Sequence, residues 1–150
     1  MKILGLIRSA RKRGNTEILV KEVLRAARDE GAETESLRLT DYDIRPCTGC
    51  MACLVKKEGC PISDGVNAIF EKMIGSDGIV LGTPVYFLGA SGIIKTLIDR
   101  GFPNSFPYTM PLKGKKGVTG AVAGVPNWEQ FALLELYLLF SSLGISLVDQ

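Results

Sequence analysis

The chain has 150 residues, 46% of them hydrophobic, with 18 basic and 16 acidic side chains and no histidine. That length suits one domain, spanning residues 1–150, with a substantial core. A net charge of +2 is too small for a dedicated nucleic-acid binder, which carries a basic stripe or a larger excess. No apolar run approaches the ~20 residues of a membrane helix, and the longest, Phe131 to Phe140, is broken by Glu135. The apolar start at Ile3 to Ile7 is too short for a secretory signal and runs into Arg8, Arg11, Lys12 and Arg13. A cytoplasmic protein that binds neither membrane nor nucleic acid is expected.

Lys2 to Ile7 reads as a buried strand. The segment Arg8-Ser9-Ala10-Arg11-Lys12-Arg13-Gly14-Asn15-Thr16 follows, leading into a helix capped by Asn15 or Thr16. Leu19, Val23 and Ala26 or Ala27 recur along that helix at helical spacing, and Gly31 stops it. Glu33 to Leu39 is a second strand, at a sheet edge, and a polar loop leads from Thr40 to Arg45. After Pro61, Asp64 can cap a helix carrying Val66, Ile69, Phe70 and Met73. Asp77 to Gly82 is the third strand, followed by the loop Thr83-Pro84-Val85-Tyr86-Phe87. Ser91 opens a short helix with Ile93, Ile94, Leu97 and Ile98, and Phe102 to Leu112 is a long loop with three prolines. Gly117 to Ala123 is a fourth strand, Asn127 caps a helix carrying Trp128, Phe131, Leu134 and Leu138, and Ile145 to Val148 is a fifth strand.

Strands alternating with helices predict an α/β fold, a doubly wound five-stranded parallel sheet with right-handed crossovers in the order 2-1-3-4-5. A ligand then sits beyond the carboxyl ends of the strands, between strands one and three. The first such end offers backbone amides at a helix start, hydroxyls at Ser9 and Thr16, the Asn15 amide and the Arg11 fork, which suits an anion such as phosphate. A solvated basic loop capping a helix is the plainer reading. The G-K-[ST] ending of a Walker loop and the G-x-G-x-x-G of a dinucleotide site are both missing. The third strand's end offers Pro84, Val85, Tyr86 and Phe87, whose flat apolar faces suit a planar ring. Core packing of both aromatics is the alternative. Ala123 to Asn127 could border the same pocket.

Cys47, Cys50, Cys53 and Cys60 are the chain's four cysteines, in a C-x2-C-x2-C-x6-C run followed by Pro61. Three thiols spaced by two residues can turn toward one point while a fourth swings back, which is how thiolates wrap an iron–sulfur cluster. Zinc is the main rival, although its sites usually pair two separated C-x2-C knuckles. Two disulfides suit a secreted domain, for which there is no signal.

Together, Ser9-x-Arg11-x-x-Gly14-Asn15-Thr16, the Pro84 to Phe87 segment and the cysteine run resemble the iron–sulfur flavoproteins of the flavodoxin-like, NADPH-dependent FMN reductase superfamily. The resemblance implies that Ser9, Arg11, Asn15 and Thr16 hold the FMN phosphate. It places Pro84, Val85, Tyr86 and Phe87 along the isoalloxazine, and Cys47, Cys50, Cys53 and Cys60 on one [4Fe–4S] cluster in a loop at 45–63. Arg8 stands where relatives usually carry glycine, so its side chain either crowds or clamps the phosphate. Flavodoxin-like folds end in a helix after the fifth strand, and the chain stops at Gln150. Either the sequence is truncated or a partner subunit covers the bare face, and a homodimer or homotetramer is expected. The resemblance also implies a ferredoxin-type electron donor and a small-molecule acceptor, with a converter between one- and two-electron chemistry as the function. The alternative is an NAD(P)H-dependent FMN or quinone reductase without a functional cluster. No side chain is assigned as catalytic.

Overall fold

The computed structural model describes residues 1–56, 59–105 and 109–148. Part of the cysteine loop (57 and 58) and part of the proline-rich loop (106–108) thus lie outside the described residues. Five strands run parallel: β1 (Lys2–Ile7), β2 (Glu33–Arg38), β3 (Gly78–Tyr86), β5 (Lys116–Val122) and β6 (Ser146–Leu147), in the order β2-β1-β3-β5-β6. Read as strands one to five, this is the 2-1-3-4-5 order that the sequence predicts. β1 is the hinge of the arrangement, with Leu6 opposite Leu37 on one side and Leu81 on the other. A sixth strand, β4 (Gly89–Ala90), was not expected; it pairs antiparallel with the end of β3.

The strand alternation sends residues to two unequal cores. Leu4, Leu6, Ile79 and Leu81 face α3 (Gly65–Ile74), α4 (Gly92–Arg100) and α5 (Glu129–Ser142), whose Ile69, Phe70, Leu97, Leu136 and Phe140 close the larger core. Ile7 and Val80 face α1 (Asn15–Asp29) through Val20 and Leu24. Each such side chain contributes about 1.5–3 kcal/mol on burial. Helix α1 lies close to the sheet because β1 and β3 carry glycine beneath it. A Cβ on Gly5 would fall 2.6 Å from Leu24, and one on Gly82 would overlap Val20. This close approach fixes the height of the α1 N-terminus above the strand ends.

Two helix faces differ from the sequence pattern. The buried positions of α1 are Thr16, Glu17, Val20 and Leu24, with Leu19 39% exposed. On α5 the buried positions are Ala132, Leu136, Leu139 and Phe140, while Phe131, Leu134 and Leu138 are 56%, 55% and 56% exposed. A helix that is apolar all round carries no periodicity to tell its inner face from its outer one. Among the described residues no helix is long and apolar enough to cross a membrane.

Candidate functional site

The anion loop joins β1 to α1 and is shaped from within. Ser9 is buried, and its Oγ accepts from the Arg11 amide at 3.2 Å and donates to the Arg11 carbonyl at 3.1 Å. No side chain caps the N-terminus of α1, where Gly14 is the cap residue. The Glu17 amide donates to the Gly14 carbonyl at 2.9 Å, so the amides of Asn15 and Thr16 are the ones left for a ligand, at the positive end of the helix dipole.

Beneath the loop lies an ion-pair network absent from the sequence analysis. Glu17 is buried and accepts from the Arg13 amide at 2.9 Å, from Lys21 Nζ at 2.6 Å and from Arg38 Nη1. Arg38, at the end of β2, also donates to the Ser9 carbonyl at 3.1 Å. The hydrogen bond from Lys21, followed by that from the Arg13 amide, holds the Glu17 carboxyl below its ordinary pKa. Glu17 is one of several charged residues along α1, and nothing local in the sequence marks it as buried. The clue is three-dimensional: β2 brings Arg38 alongside.

β3 runs four residues beyond the predicted strand, through Thr83 to Tyr86, and folds back on β4 with Val85 opposite Ala90. The turn residues Phe87 and Leu88 both have positive φ, 43° and 71°. Two-residue hairpin turns usually place Asn or Gly in that region, so bulky side chains there are strained. The α5 residue Glu135 holds the hairpin by accepting from the Ala90 amide at 2.7 Å. Neither aromatic is a core residue: Tyr86 is 51% exposed and Phe87 86%.

These segments converge on one cavity of about 370 Å3, lined by Ser9, Arg11, Asn15 and Thr16 from the loop, Pro84, Val85 and Tyr86 from the shelf, and Val122 to Gly124 from the end of β5. Seven of the eight residues predicted to bind FMN line it. Phe87 does not; it packs edge-on against Trp128, with ring centroids 6.3 Å apart. Arg8 does not line it either. Its guanidinium sits 5.3 Å over the Tyr86 ring, with Nε and Nη1 buried and unpartnered. A polar, amide-rich end next to an apolar end fits a phosphate joined to a planar ring.

The cysteine loop follows β2 on the same side of the sheet. Cys47 and Cys50 are exposed, Cys53 and Cys60 half-buried, and all four are free thiols. Gly49 and Met51 take left-handed conformations, with φ of 65° and 59°. The Gly49 amide donates to Cys47 Sγ at 3.4 Å. The Ala52 amide, and then the Thr48 hydroxyl, push the Cys50 thiol below its ordinary pKa. Such N–H···S contacts favour thiolate, the form that binds metal. A short helix, α2 (Ala52–Lys56), carries Cys53 and was not expected inside the loop. Among the described residues no three potential ligands stand close enough together to hold a metal ion. The donor set is that of a soft metal or cluster.

An anion loop after β1 and an apolar shelf at the end of β3, on a 2-1-3-4-5 parallel sheet, define a flavodoxin-like protein. A solved flavone reductase superposes with a TM-score of 0.79 at 25% identity, over 99% of this chain and 52% of that one. A family model described as NADPH-dependent FMN reductase matches residues 1–150. An iron–sulfur flavoprotein of Methanocaldococcus jannaschii is 48% identical over 131 residues, covering 87% of this chain and 66% of that protein. Another, from Methanosarcina thermophila, is 34% identical over 130 residues, covering 87% and 67%. The chain belongs to the NADPH-dependent FMN reductase family, among its iron–sulfur flavoproteins. It spans about two thirds of the length of these two relatives.

Proposed function

We propose that the chain is an electron-transfer flavoprotein that binds FMN and one [4Fe–4S] cluster and links one-electron donors to two-electron acceptors. The observation that carries this reading is the placement of four free thiols on a loop that opens from the same strand ends as the pocket. Ser9, Arg11, Asn15 and Thr16 would hold the FMN phosphate, and Pro84, Val85 and Tyr86 would line the ring. Cys47, Cys50, Cys53 and Cys60 would ligate the cluster. When bound, the flavin takes one or two electrons and the cluster one at a time, so together they convert between the two. The protein's part is to hold both groups, shape their surroundings and keep the ring edge open to an acceptor.

The donor proposed is a ferredoxin-type protein and the acceptor a small molecule; the thiols suit a reducing compartment such as the cytoplasm. A second copy of the chain is proposed to cover the apolar outer face of α5. An apolar face of that size is rarely left in water. The second reading is an NAD(P)H-dependent FMN or quinone reductase without a functional cluster. It is favoured by the family description and by the unconverged thiols.

Anaerobic reconstitution with FMN, iron and sulfide decides between them. The cluster reading expects flavin bands over a broad iron–sulfur shoulder, with about four irons per FMN. A flavin-only spectrum with direct NAD(P)H oxidation would establish the second reading instead.

A further inference from the structure

Arg100, the last residue of α4, is the largest fully buried side chain among the described residues. No part of the strand-end pocket uses it. Its Nη1 donates to the Arg45 carbonyl at 2.8 Å and to Asp64 Oδ2 at 2.9 Å. Its Nη2 donates to the Ile62 carbonyl at 3.2 Å and to Asp64 Oδ1 at 3.0 Å. Asp64 returns the bonding to both sides of the loop, accepting from the Arg45 amide at 2.9 Å and the Val66 amide at 3.0 Å. Arg45 lies two residues before Cys47, and Ile62 two residues after Cys60. One guanidinium therefore closes both ends of the cysteine loop.

The same group reaches the ligand set. Arg100 and Cys60 line one small cavity of about 220 Å3, together with Asn67 and Asn104. Arg100 Nε is buried and makes none of the four bonds. A buried guanidinium with a spare donor beside a thiol is more than a loop closure requires, because an unmade buried hydrogen bond costs about 1–3 kcal/mol.

We propose that Arg100 is the positioning residue of the cysteine loop, fixing the span from Cys47 to Cys60 and holding a permanent positive charge beside Cys60. The inference rests on the cluster reading above. Groups around a cluster's thiolates set both metal retention and reduction potential, the latter through local charge and hydrogen bonding to sulfur. A fixed cation at Cys60 stabilises the more negative, reduced cluster and raises its potential.

The test compares wild type with Arg100→Lys, which keeps the charge and loses the fork, and with Arg100→Gln, which removes the cation and leaves the Asp64 carboxylate in place. All three are reconstituted with FMN, iron and sulfide. FMN content, the rate of iron release to a chelator and the cluster potential are measured. Expected are wild-type FMN content throughout and iron held ~10- to 100-fold less well in both variants. The potential should move to a more negative value in Arg100→Gln and stay near wild type in Arg100→Lys. Wild-type iron retention and potential in Arg100→Gln overturn the proposal. Loss of FMN along with iron in both variants overturns it too, by assigning Arg100 to the whole fold. A wild type that takes up FMN but no iron sinks the cluster reading itself, a result distinct from the other two.

Discussion

The strand-end pocket and the cysteine loop occupy the same end of one sheet, but the chain builds them in different ways. The pocket is made by packing. Gly5 and Gly82 let α1 settle onto the strands, Glu17 and Arg38 brace the anion loop from below, and Glu135 ties down the hairpin. The cysteine loop is fastened at its ends by Arg100 and Asp64, with Cys47 and Cys50 exposed and Cys53 and Cys60 half-buried. A site whose walls are core elements is formed before its ligand arrives. A site made of thiolates on a loop takes its final geometry from the metal, because binding and local folding are then one process. The two sites should therefore fail separately.

The largest expected effect is at the cysteines. Cys50→Ala should abolish iron incorporation while FMN content stays at the wild-type level; full iron content in that variant would remove Cys50 from the ligand set. Next comes Arg11→Ala, which should weaken FMN binding by ~10- to 100-fold, as loss of a charge-assisted bond to phosphate does. Its iron content should not change, and an unaltered FMN affinity would take Arg11 out of the phosphate site. Gly82→Ala addresses the scaffold. Its Cβ would overlap Val20, so about 1–3 kcal/mol of stability should be lost in denaturant unfolding. FMN affinity should fall with it, since the α1 N-terminus must lift, whereas iron binding should hold.

The smallest effect concerns Glu17. Its folded pKa lies below the ordinary carboxylate value, so it adds stability above the unfolded range near ~4.3 and loses it as pH falls through the folded value. Glu17→Gln should cost about 0.5–1.5 kcal/mol at neutral pH and flatten the acid limb of the stability curve below pH ~4.3. An acid limb unchanged from wild type would show that Glu17 does not brace the loop.

Much of this was legible in the sequence because it depends on local signals. The strand order followed from alternating elements, and the anion loop from a Gly-Asn-Thr step between a strand and a helix. The Asp64 cap was visible beside Gly65 and Val66, and its side chain does accept from the Val66 amide. What was not legible depends on partners distant in the chain. Glu17 and Arg38 meet across the β1–β2 pair, and Arg100 reaches back to Arg45 and Asp64. Phe87 leaves the pocket for Trp128 because the β3–β4 turn, which no turn residue announces, points it there. Periodicity failed on α5 for a physical reason, since both faces are apolar.

Hydrogen exchange before and after anaerobic reconstitution with iron and sulfide tests the difference between the two sites most directly. The amides of residues 47–53 should exchange quickly in the metal-free protein and become protected once iron and sulfide are added, while those of 16–24 stay equally protected in both. Protection at 47–53 that does not change on reconstitution would contradict a metal-ordered loop, and with it the assignment of these thiols to a cluster.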